Sequence, residues 1–167
     1  RLLEEGGVTM SVVRNHGLTV KEAEIVVVLG ACLHDIGISI HRHRHEEYSL
    51  FMADRKAREV LEPLCEVEER TILVSEVLHG IAAHRSDEQC LTIEAGILKL
   101  ADALDMTKGR SRIPFEAGSM NIHSVSAAAI DQVTLSKGEA KPVHIEVLMN
   151  NSAGIFQLDE LLKAKLT

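Results

Sequence analysis

The chain has 167 residues, 46% of them hydrophobic, with Phe51, Phe115, Phe156 and Tyr48 as its aromatic side chains and a formal charge of −7 at neutral pH. That length suits one domain, or one domain with a small appendage, around an aliphatic core, and the acidic balance argues against a surface built for nucleic acid or an anionic membrane. Cys32, Cys65 and Cys90 are odd in number and lack CxxC spacing, so neither a disulfide framework nor a zinc knuckle is indicated and the cytoplasm is the expected compartment.

In chain order, the first residue is Arg1 rather than methionine, which points to a processed or truncated edge. His16 sits in RNHGLT, which reads as a solvated loop ahead of a helix. Thr19 with Glu22 has capping-box form, and Val20 to His34 is apolar on nearly every face, predicting a buried central helix with Gly37 as its stop. Its longest apolar run, Ile25 to Leu33, is too short to span a bilayer. From Glu46 to Glu62 a stripe of Leu50, Ala53, Ala57, Val60 and Leu61 predicts a second helix, closed by Pro63. Val74, Val77, Leu78 and Ile81 predict a third between Glu66 and His84. Ile93, Ile97, Leu100, Ala101 and Leu104 predict a fourth from Thr92 to Met106.

After Met106 the texture changes. Lys108, Gly109, Arg110, Ser111, Arg112, Ile113 and Pro114 form a basic, helix-breaking segment, taken as the boundary between a helical part, 1–114, and a C-terminal α+β part, 115–167. There, Val133 to Leu135 and Val143 to Met149 predict a hairpin turning near Lys137 and Gly138. Gly154 to Leu166 predicts a helix capped by Asn151 or Ser152, with Ile155, Leu158, Leu161 and Leu162 against the hairpin.

The chemistry concentrates in His34 and Asp35, adjacent in CLHDIGIS at the end of the first long helix. An imidazole and a carboxylate on consecutive residues can both face a small polar site, and the two carboxylate oxygens can span two cations. His45 lies 11 residues on, His84 ends a later helix, and Asp102 sits in KLADALDM. No GxxxxGK[ST] or GxGxxG loop and no serine nucleophile elbow accompanies them.

The strings LHDIG, HEEYS with His45, IAAH ending at His84, and LADALD together resemble the HD-domain metal-dependent phosphohydrolase superfamily over roughly Ile25 to Pro114. LHDIGISIHRHRHEEYSL is similar to the matching stretch of the helical domain attached to exopolyphosphatases. The 18-residue step from His84 to Asp102 resembles that of the superfamily's dinucleoside tetraphosphatases. The resemblance implies a mainly α helical bundle with the hairpin and last helix as an appendage. It implies one or two divalent ions (Mn, Fe, Co, Ni, Zn or Mg), with Asp35 bridging, His34 and Asp102 serving the first ion and His45 and His84 the second. It also implies that a first histidine precedes the His-Asp pair on an earlier helix, so the missing ligand is expected upstream of Arg1 rather than at His16.

His79 competes with His84 for the last ligand place. Five residues of helix turn about 140°, so both cannot enter one site. His84 has the better spacing to Asp102, which leaves His79 as a hydrogen-bonding residue behind the ligands or a core histidine. Asp35, His34 and His79 are the catalytic candidates, and Lys108, Arg110 and Arg112 the candidates for holding phosphoryl oxygens. The implied activity is hydrolysis of a phosphate ester or anhydride in a small phosphorylated substrate, in a protein without membrane partners that can form a homodimer. The alternative is a regulatory module that holds metal and a phosphorylated ligand without turnover.

Overall fold

A helix begins where a side chain takes up its first amides, and the longest early one shows it. Thr19 Oγ1 accepts the Lys21 N–H at 3.2 Å while Glu22 Oε2 accepts the Thr19 N–H at 2.8 Å, the reciprocal pairing that the capping-box spacing predicts. The computed structural model describes residues 1–85, 87–107 and 122–166. They form two compact units, one of residues 10–102 and the other of 1–9 with 103–167. The boundary expected at 114/115 lies outside the described residues.

The 10–102 unit holds α2 (Ser11–His16), α3 (Val20–Leu33), a 3-10 turn (Ile36–Ser39), α4 (His45–Leu61), α5 (Val67–Ala83) and α6 (Ile93–Leu104), whose last two residues belong to the other unit. Helix α5 packs on both α3 and α4. Leu61, Leu73, Val74, Val77 and Ile81 are fully buried along that contact, each large side chain contributing about 1.5–3 kcal/mol by leaving water. Leu98 of α6 presses between two helices at glycines: a Cβ on Gly30 of α3 would lie 2.9 Å from its Cδ2, and one on Gly80 of α5 3.2 Å.

The ends of α2 and α6 close each other. Glu94, buried on α6, accepts the Val12 N–H at 3.1 Å, and Ser11 Oγ accepts the Ile93 N–H at 2.8 Å, so each helix supplies the acceptor for a start amide of the other. Buried Lys99 donates from Nζ to the Glu88 carbonyl at 2.6 Å.

Three sequence expectations are corrected here. Helix α3 is not buried all round: Ala23, Val26 and Gly30 are, whereas Val28, Ala31 and Cys32 are exposed, because α2 and α5 cover only one side of it. The buried face of α6 carries Glu94, Ala95, Leu98 and Lys99, while Ala101 is exposed and Ile93, Ile97 and Leu100 are half-buried. Val60 of α4 is exposed.

The second unit contains α1 (Leu2–Glu5), α7 (Ile122–Ala128), an antiparallel pair of β1 (Ile130–Lys137) and β2 (Val143–Met149), and a final helical stretch running through Ser152–Gly154, Gln157–Leu162 and α8 (Lys163–Leu166). Val133 faces Val147 and Lys137 faces Val143, with an irregularity between Ile130 and Gln132. The expected hairpin is therefore present, and Gly138 permits its turn, since a Cβ there would meet the Lys141 carbonyl oxygen at 2.2 Å. Asn151 caps the last stretch by accepting the Ala153 N–H at 2.9 Å. Leu162 is buried and Leu158 half-buried as the stripe predicts, but Ile155 is exposed. Helices with a small hairpin appendage are the fold class read from the sequence. Among the described residues no helix is long and apolar enough to cross a membrane.

Candidate metal centre

Four segments of the 10–102 unit bring the site together. His34 is the C-terminal cap of α3 and Asp35 follows it; His45 opens α4; His84 caps the end of α5; Asp102 lies near the end of α6, one helical turn from inward-facing Leu98. Asp35 is the hub. Its Oδ1 stands 2.9 Å from His45 Nε2 and 4.0 Å from His84 Nε2, while its Oδ2 stands 3.6 Å from His34 Nε2. His34 Nε2 is in turn 3.8 Å from Asp102 Oδ1. The rings of His34 and His84 meet edge to face, their centroids 5.1 Å apart.

One device orients all three histidines. Each bonds through Nδ1 to the carbonyl three residues earlier, His34 to Ala31 and His45 to Arg42 at 2.9 Å, and His84 to Ile81. With the proton held on Nδ1, Nε2 carries the lone pair, and it is Nε2 that faces Asp35 from all three rings and Asp102 from His34, while His45 Nδ1 also lies 3.6 Å from Glu46 Oε2. Asp35, His45 and His84 offer ligand atoms that all lie within 4.8 Å of one another, the spread a single ion can gather. Imidazole nitrogen with carboxylate oxygen is a donor set suited to divalent transition metals, so these residues fit such an ion. His84 is buried and the Asp35 side chain is 43% exposed, so the pocket has a floor and an open mouth.

Glycine and serine set the spacing of the two nearest donors. Gly37 donates its N–H to Ser49 Oγ at 2.9 Å, and a Cβ on Gly37 would fall 2.1 Å from the His45 carbonyl oxygen and 2.5 Å from the Ser49 nitrogen. Gly37 thus serves close approach between the 3-10 turn and α4, and it is not the left-handed helix stop expected from the sequence, having no positive φ. Arg44, just before His45, does adopt the left-handed conformation at φ 65°, which costs a non-glycine residue about 1–2 kcal/mol. Glu47 holds it there, accepting both Nε and Nη2 of its guanidinium and raising that group's pKa. Beyond His84, Arg85 donates to Asp87 at 3.0 and 3.1 Å and holds its carboxyl below the usual range.

The other candidates stand elsewhere. His79 Nε2 accepts the Leu91 N–H at 3.0 Å, so this catalytic candidate supports the loop ahead of α6 and is not in the ligand cluster. His16 closes α2 rather than lying in a loop, and its Nε2 is 3.7 Å from Glu76 Oε1. Lys108, Arg110 and Arg112 lie outside the described residues. Sequence reasoning missed the Gly37 and Ser49 pair, although both stand in the LHDIG and HEEYS strings; the signal was a glycine two residues after Asp35 and a small hydroxyl one turn after His45.

A family model for the HD domain matches residues 8–107. An uncharacterized protein of Methanocaldococcus jannaschii is 41% identical over 166 residues, an alignment covering 99% of this chain and 64% of that protein, so the chain spans about two thirds of its relative's length. No solved structure matches the chain. The family match takes in every residue of the Asp35 cluster, and the chain belongs to the HD domain family.

Proposed function

We propose that the chain is a metal-dependent phosphohydrolase that cleaves a phosphate ester or anhydride in a small phosphorylated substrate. The observation that carries this reading is the division of labour at Asp35: one oxygen faces His45 and His84, the other faces His34, which lies against Asp102. With Asp35 shared between two donor sets, His34 and Asp102 would hold one cation and His45 and His84 a second. Divalent cations held there supply a Lewis acid that makes water a nucleophile near neutral pH and offsets phosphoryl charge, whether the ions are Mn, Fe, Co, Ni, Zn or Mg.

The protein's own part is orientation and access. The three Nδ1 bonds keep the rings from rotating away, and buried His84 closes the floor against bulk water. The exposed side of Asp35 leaves the mouth open to a phosphoryl group. Lys108, Arg110 and Arg112, which follow α6 directly in sequence, are proposed to hold its outer oxygens. Membership of the HD domain family supports a small phosphorylated substrate, and the proposed setting is the cytoplasm.

Asp35→Ala tests the reading. The variant should lose bound metal and phosphatase activity together, because the shared ligand is gone from both donor sets. Full metal occupancy in Asp35→Ala refutes the assignment. A wild-type protein that retains metal and a phosphorylated ligand without releasing phosphate is a binding module instead.

A further inference from the structure

The amides at the start of a helical turn have no partner within it, and a buried one must find an acceptor elsewhere. The 3-10 turn after Asp35 has this need at Gly37, which is buried, and Ser49 meets it. Ser49 is fully buried, so no solvent oxygen replaces its hydroxyl without rearrangement. The position matters for the site. Gly37 is two residues beyond Asp35, and Ser49 is one helical turn beyond His45, so their 2.9 Å hydrogen bond ties the segment carrying one donor to the helix carrying the other, closer to both donors than the long Ser39 to Met52 sulfur contact further along the same two segments.

We propose that Ser49 is a positioning residue that sets the Asp35 to His45 separation and thereby the affinity of one cation subsite but not the other. The inference rests on the metal reading above. The distance it controls is the 2.9 Å between Asp35 Oδ1 and His45 Nε2. The other donor pair, His34 with Asp102, is carried by α3 and α6, and neither helix takes part in the Gly37 to Ser49 bond. Loss of the hydroxyl therefore frees the turn to relax from α4 and opens the His45 side selectively. A role confined to general stability has no such selectivity.

The experiment is a titration of metal-free intact protein with Mn2+, followed by electron paramagnetic resonance of the unbound ion. Wild type, Ser49→Ala, and Ser49→Cys are compared; alanine leaves the site slightly underfilled and cysteine slightly overfilled, and both lack a good acceptor. Leu73→Val, in the buried core of α5, serves as a control for stability loss away from the site. Both Ser49 variants should bind one equivalent as wild type does and the other at least tenfold more weakly, while Leu73→Val binds both normally. Wild-type affinity for both equivalents in Ser49→Ala and Ser49→Cys overturns the inference and leaves the metal reading standing. Equal weakening of both equivalents, matched by Leu73→Val, also overturns it. A wild-type protein that takes up no divalent ion removes the metal reading and this inference together.

Discussion

Gly37→Ala should damage the metal site and the fold through one contact, and the size of the effect can be worked from the structure. The added Cβ would lie 2.1 Å from the His45 carbonyl oxygen, 2.5 Å from the Ser49 nitrogen and 2.8 Å from Tyr48 Cβ. Ordinary contact begins near 3.4 Å, so the turn and the first turn of α4 must part by more than 1 Å. Two of the three obstacles are backbone atoms, which no change of rotamer can move. Overpacking of this kind costs about 1–3 kcal/mol, and the upper end applies where backbone must yield. Parting the segments also strains the Gly37 to Ser49 hydrogen bond, worth about 1 kcal/mol. The total of about 4 kcal/mol lies below the 5–15 kcal/mol typical of a folded domain, so the variant should still fold. A displacement above 1 Å is large against the 2.9 Å between Asp35 Oδ1 and His45 Nε2, so metal affinity should fall as well. Urea unfolding gives the first quantity and calorimetric titration with Mn2+ the second. A variant within 1 kcal/mol of wild type that binds Mn2+ normally would refute the close-approach argument.

Leu98→Ala should destabilise the protein by about 2–5 kcal/mol, because the side chain fills the notch between Gly30 and Gly80 and neither glycine can grow to replace it. A urea-derived loss below 1 kcal/mol would show that the helices close over the gap. Glu22→Gln should make stability less dependent on pH. The Thr19 hydroxyl donates to the Glu22 carboxylate and lowers its pKa, so the stability it contributes is complete above the ordinary carboxylate value and is lost as pH falls through the lowered one. The melting temperatures of wild type and variant should differ at neutral pH and converge in acid, and a gap that persists there counts against the linkage.

Much of this architecture was legible because it is written in short-range chemistry. The Thr19 and Glu22 spacing announced α3, and the stripes of α4 and α5 placed Ala53, Ala57, Leu61, Val74, Val77 and Ile81 correctly in the core. The face of α6 was misjudged for a physical reason. Periodicity counts apolar residues, but the inward face of α6 includes Glu94 and Lys99, each of which finds a hydrogen bond, one Glu94 oxygen with the Val12 N–H and Lys99 with the Glu88 carbonyl, that only the tertiary fold creates. The candidate ligands His34, Asp35, His45, His84 and Asp102 were named from their strings, and what the fold shows of them is proximity, with side-chain atoms 2.9 to 4.0 Å apart. The supporting layer was invisible: carbonyls of Ala31, Arg42 and Ile81 carry no side-chain signature, and the diversion of His79 to Leu91 depends on where residues 87–92 run.

The mutual closure of α2 and α6 has a bearing on when the site comes into being. A helix of six residues such as α2 does not persist alone in water, and the first amide of α6, that of Ile93, relies on Ser11, 82 positions earlier in the chain. The hydrogen bonds that close these two helix ends therefore exist only where the chain has brought α2 and α6 together. Asp102 rides on α6, so the acid that accompanies His34 is seated only when that long loop of polypeptide has been drawn shut. On the proposed metal reading, a complete candidate site is then a property of the finished fold, and partly folded chains lack it.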